Sequence, residues 1–164
     1  MPNLTATHPD DREHVGRGAL VALSALPIAL VLPAVPLPFE RIWLGVICLA
    51  LPFIVRFAYT RGSGGYVVRG KPVIAAVSGA SLLIAVVAST LVMSHNAYSA
   101  VGGTGSVLSE EFFSTVGWNF ANFTAFDLFF SVIVAAVTGV PALILALVTA
   151  RKPPIRKISE MAQA

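Results

Sequence analysis

The chain has 164 residues, of which 56% are hydrophobic and 12% charged, with a formal net charge of +3 and a mean hydropathy of +0.82. That is too little charge to cover a soluble domain of this length, so a water-solvated globule is excluded and lipid is the expected solvent for most of the surface. The basic balance does not indicate nucleic acid, because ten of the eleven Lys and Arg residues flank apolar runs, where positive charge orients helices, and none forms a stripe with interleaved aromatics. The single cysteine, Cys48, lies inside an apolar run, which rules out an intrachain disulfide framework and a Cys-based metal cluster.

In chain order, a polar tail over residues 1–17 carries His8, Asp10, Asp11, Glu13 and His14. A solvated terminal segment ligates weakly, so no metal is expected there. The first apolar run, 18–36, holds 19 residues, about 28 Å as a helix and enough to cross the hydrocarbon layer. Its acidic lead and its exit through Pro33, Pro36 and Pro38 set it apart from a cleavable signal peptide. After the proline turn, a second span is predicted over 42–58. Arg56 lies near its end, where a long stem can reach the headgroup layer.

The connection from Arg56 to Pro72 contains Gly62, Gly64, Gly65 and Gly70 with four basic residues, and it reads as a cytoplasmic loop. A third span is predicted over 73–94, starting just after Pro72. Residues 95–127 hold no Lys or Arg and three acidic residues, which places them outside. Within them Ser109 is positioned to cap a short helix with Glu110 and Glu111 in its first turn. Phe112, Phe113, Val116 and Phe120 recur at helical spacing with Trp118 among them, so this helix is expected to lie in the interface. Thr124 to Asp127 has the form of a capping box before a fourth span over 128–150, and a basic tail occupies 151–164.

Basic residues number ten on the predicted inner side against Arg41 alone outside, a strong bias over segments short enough for the positive-inside rule. The expected architecture is all-α: an integral membrane four-helix protein of the plasma membrane, N-in/C-in, with a short interfacial helix in the outer loop. Small residues recur at every fourth position, Ser81, Ala85 and Ser89 on span three and Ser131, Ala135 and Gly139 on span four. Such rows let helices approach closely where lipid removes the hydrophobic drive. Pro27, Pro52 and Pro141 each remove a backbone hydrogen bond and are expected to bend their helices.

No constellation for catalysis is visible. Cys48 has no predicted base beside it, and the glycine clusters GSGG and VGGTG lack the strand, lysine and helix start of a phosphate loop. His95, Glu110, Glu111 and Asp127 share the outer side, but their spacing specifies no metal. Neither cofactor nor metal is expected. Glu110, Glu111, Trp118, Asn119, Asn122 and Asp127 stand as candidate contacts for a partner on the outer side.

The stretch 112–131, with Phe123, Asp127, Leu128 and Ser131 at its helix start, resembles a family of small bacterial multi-pass membrane proteins of uncharacterised activity. The resemblance covers spans three and four and implies a membrane location without an activity. The functional expectation is a non-catalytic subunit or accessory protein of a larger membrane assembly, meeting the bilayer and a membrane-protein partner or further copies of itself. The alternative is an oligomeric channel or transporter for ions or small solutes.

Overall fold

The computed structural model describes residues 13–35, 40–65, 67–106, 109–112, 114 and 125–150, with the backbone alone for Glu40, Arg41 and Asp127. Its main elements are α1 (Val15–Ala22), α2 (Ala25–Val31) continued by a 3-10 turn (Leu32–Ala34), α3 (Glu40–Ser63), α4 (Lys71–Ala100) and α5 (Ala125–Val148). No strand occurs among the described residues. Among the described residues four stretches are long and apolar enough to cross a membrane: Val15–Ala34, Ile42–Ser63, Lys71–Ala100 and Leu128–Val148.

The first span is broken in two between Ala22 and Ala25, and Pro27 explains why. Proline has no N–H to offer the carbonyl four residues back, and its ring crowds that carbonyl; here the carbonyl is that of Leu23. It accepts instead from Leu26 N at 3.1 Å, while Ser24 closes the break by donating Oγ to Val21 O at 2.7 Å. Pro52 and Pro141, by contrast, lie within continuous helices, so of the three prolines only Pro27 interrupts its span.

Several boundaries differ from the sequence reading, among them the start of the first span, at Val15 instead of residue 18. α3 continues to Ser63 instead of ending near Ala58, so Arg56 lies well inside a helix. α4 extends through His95 to Ala100, taking in residues expected in the outer loop. α5 begins at Ala125, which puts Asp127 in its first turn; Thr124, the head of the expected capping box, lies outside the described residues.

α3 is central, packed against α1, α4 and α5, and α4 also packs against α2 and α5. The interior is built from small side chains. Ala22, Ala25, Ala29, Ala85 and Ala146 are fully buried, and so are Ser78 and Ser81. Gly139 of α5 is seated where an added Cβ would stand 2.9 Å from Leu82 of α4 and 3.6 Å from the Cys48 carbonyl of α3. Close approach of this kind gives apolar helices their van der Waals attraction in lipid. Ala22, Val55, Tyr59, Val67, Ile74 and Ala150 share one buried cluster, so the described chain begins and finishes at the same end of the bundle. That end carries Arg56, Arg61, Arg69 and Lys71 and is called the basic end below.

Candidate functional site

The most elaborate polar arrangement lies at the basic end, where the glycine-containing loop after α3 turns into α4. Successive backbone N–H groups in a turn leading into a helix form a natural seat for an anion. Here the seat is filled from within the chain by Glu13, just ahead of α1. Its Oε2 accepts from Arg69 N at 2.7 Å and Val68 N at 3.0 Å, and its Oε1 accepts from Gly70 N at 2.9 Å. The Tyr59 hydroxyl of α3 donates to the same Oε1 at 2.8 Å. One carboxylate therefore joins the lead into α1, the body of α3 and the start of α4.

Backbone packing prepares this latch. Gly70 lies against the Tyr59 ring, and Gly18 of α1 meets its other edge, an added Cβ there standing 2.8 Å from Cε2. Gly62 of α3 faces the α1 backbone, and His14 N donates to Ser63 O at 3.1 Å. Tyr59 is fully buried between these elements with its hydroxyl satisfied by Glu13, as a buried polar group requires.

Partial burial pushes the Glu13 carboxyl upward, but the hydrogen bonds from Arg69 N, the Tyr59 hydroxyl, Val68 N and Gly70 N outweigh it and hold the group below its ordinary value of 4.5. A depressed carboxyl contributes stability that is fully present above its ordinary value and is lost as pH falls through the lower, folded-state value. The unfolding midpoint of the wild-type chain in mild detergent should therefore drop as the buffer is taken below pH 4.5. Glu13→Gln should start roughly 1–2 kcal/mol less stable at neutral pH, the scale of hydrogen bonds to a charged group at a half-exposed site. Its midpoint should also depend less on pH over that range, and parallel profiles for the two proteins would refute the latch.

Beside the latch, Arg56 reaches from α3 to the end of α5, its Nη1 donating to Thr149 Oγ1 and its Nη2 to Thr149 O, both at 2.6 Å. A cation here satisfies carbonyl groups that the helix end leaves free. One turn beyond, the Arg61 guanidinium lies 4.9 Å from the centroid of the Phe57 ring, within cation–π range. Phe53, Arg56, Phe57, Thr60, Arg61 and Gly65 line an open groove of about 810 Å3.

The opposite end carries the residues expected to face outward. His95 belongs to α4 and forms an aromatic cluster with Tyr98 and Phe112, with ring centroids 5.6 Å apart for both His95–Phe112 and Tyr98–Phe112. Its Nε2 lies 3.3 Å from Gly105 O. Ser109 Oγ accepts from Phe112 N at 3.2 Å, the expected capping contact. Phe112 is fully buried, while Glu110 and Glu111 are exposed. Trp118, Asn119 and Asn122 lie outside the described residues, as does the Asp127 side chain, so the extent of the interfacial helix lies there too. No group of three or more metal-ligating side chains occurs among the described residues.

Of the two small-residue rows, Ser81, Ala85 and Ser89 are all buried on α4, and Ser131 and Gly139 are buried on α5 with Ala135 half-buried. The sequence places Glu13 in a solvated tail and shows no phosphate loop in the GSGG cluster. Glu13 is instead bound beyond that cluster, by the N–H groups of Val68, Arg69 and Gly70 that lead into α4. The missing signal is long-range, because the contacts join residues 46 to 57 positions apart.

No protein-family model matches the chain, and neither a curated protein nor a solved structure matches it; the resemblance carried by Phe123, Asp127, Leu128 and Ser131 thus has no family model behind it.

Proposed function

We propose that the chain is a non-catalytic multi-pass protein of the plasma membrane that serves as a subunit or accessory protein of a larger membrane assembly. Both termini lie on the cytoplasmic side in this reading, because the basic end collects the Lys and Arg residues and the positive-inside rule assigns them there. The observation that carries the proposal is the free face of α5. Phe126, Phe129, Ile133, Val137, Val140, Ile144 and Val148 are spaced by three or four residues along the whole helix, and each is between 42% and 74% exposed. A period near 3.5 keeps such a row on one side of a helix and suits a lengthwise seam with another helix. The opposite side of α5, with Ser131, Gly139, Ala142 and Ala146, is already engaged by α3 and α4.

Cross-linking in native membranes tests this. In a Cys48→Ala background, Val137→Cys and Ile144→Cys should each give a covalent adduct with a second polypeptide, and mild-detergent extraction should recover the same adduct partner with the wild-type chain. Mass identifies the partner as another protein or a second copy. Recovery of a lone monomer with no adduct from either position would overturn the proposal.

A further inference from the structure

We propose that the groove at the basic end of α3 is a binding site for one anionic phospholipid, its phosphate facing Arg61 and Arg56 and its glycerol and upper acyl region lying along Phe53 and Phe57. Among the described residues, the lining positions 53, 56, 57, 60 and 61 of α3 repeat at intervals of three or four and so share one helical face, with Gly65 just beyond the helix end. Along the helix Phe53 lies toward the middle of the span and Arg61 toward its end. The Arg56 guanidinium, although its backbone precedes Phe57, reaches Thr149 at the end of α5, so a ring-lined stretch leads to charged groups as a phospholipid entering from the side requires.

Charge supports the choice of an anionic lipid. Among the described residues neither Arg56 nor Arg61 is paired with a carboxylate, and the carboxylate described at this end, Glu13, is already held by three backbone N–H groups and Tyr59. Arg56 commits two donors to Thr149 and, with five in its fork, keeps others free. That contact also fixes the guanidinium at the mouth of the groove, as the Phe57 ring does for Arg61. A volume of about 810 Å3 accommodates a headgroup with its glycerol; basic pockets beside membrane helices recognise anionic headgroups in this way. Phe57, 60% exposed beside a charged side chain, gains an apolar neighbour when the site is filled.

The inference rests on the chain lying in a bilayer, independently of any partner protein, and the test reads insertion separately. The full chain is reconstituted into phosphatidylcholine vesicles containing a trace of spin-labelled phosphatidylglycerol or, in a parallel sample, spin-labelled phosphatidylcholine. Retention in the vesicles after an alkaline wash reports insertion. The motionally restricted fraction of each label then reports selectivity. Inserted wild-type protein should favour the anionic label. Arg61→Gln should lower that preference about fivefold, the factor one basic side chain near a lipid surface contributes. Arg61→Lys should keep most of it, and Lys71→Gln, on an exposed residue outside the groove, should lower it by clearly less than Arg61→Gln does. Added inorganic phosphate should not displace the lipid. Equal restriction of both labels by inserted wild-type protein would overturn the site, as would an equal loss in Lys71→Gln, which marks a diffuse basic surface, or displacement by phosphate, which marks a site for the free ion.

Discussion

Gly62→Ala should loosen the first helix from the bundle and lower stability by about 2–3 kcal/mol, the scale of forced overpacking where neighbours have little room to yield. The reason lies in what the new methyl group meets. Its Cβ would stand 2.7 Å from the Arg17 carbonyl oxygen, 2.9 Å from Gly18 Cα and 2.9 Å from Val21 Cγ2. Two of these three are backbone atoms of α1, which have no rotamer to change, so relief requires the helix itself to move. Movement of α1 also separates Gly18 from Tyr59 and pulls on Glu13, the contacts that fasten the first span to α3 and α4. Gly16→Ala provides the comparison, since its Cβ would meet nothing within 4 Å; that change should be neutral or stabilising by up to about 1 kcal/mol through helix propensity. Unfolding by increasing mole fraction of a denaturing detergent in mixed micelles reads both variants on one scale. Equal midpoints for the two would show that α1 is not held by this close crossing.

Gly70→Ala should cost more, about 3 kcal/mol or above, because it strikes the packing and the latch together. An alanine Cβ there would fall on the hydroxyl and ring of Tyr59. That ring is fully buried and meets Gly18 on its other side, so it has no free direction in which to turn. Displacing it breaks the hydrogen bond to Glu13 and disturbs the backbone of the seat to which Gly70 itself contributes an N–H. A double-mutant cycle separates this from a general loop defect. In a Tyr59→Leu background, where the obstructing ring is absent, Gly70→Ala should cost less than about half of what it costs in the wild type. Full additivity of the two changes would contradict the packing described here.

The four long apolar helices were legible in the sequence because each is a long apolar run, with charge or proline at most of its boundaries, and that signal needs no tertiary information. Their ends were harder to read. The sequence around Arg56, Arg61 and Gly62 looks like a loop, yet α3 continues through it, since the arginine side chains reach Thr149 and Phe57 while Tyr59 on the same turns is buried. The C-terminal end of α4 was hidden in the same way: His95 and Tyr98 remain helical where they pack on Phe112, an apolar partner from beyond the glycine-rich turn. The break after Ala22 was signalled only in part, by Pro27, because three prolines looked alike and one interrupts its span. The latch was not legible at all. A glutamate in a polar lead, a tyrosine in an apolar run and three backbone N–H groups have no shared local pattern, and only closure of the bundle brings them together.

Sidedness is tested most directly by labelling in cells that express the chain, with a maleimide that does not cross membranes. Val68→Cys in the loop of the basic end and Ser106→Cys beyond α4 both replace exposed residues, and Cys48→Ala removes the buried native thiol. With four helices crossing the bilayer and the basic end inside, the Ser106→Cys protein is labelled in intact cells and the Val68→Cys protein only after permeabilisation. Labelling of both in intact cells, or the reverse order, would contradict it.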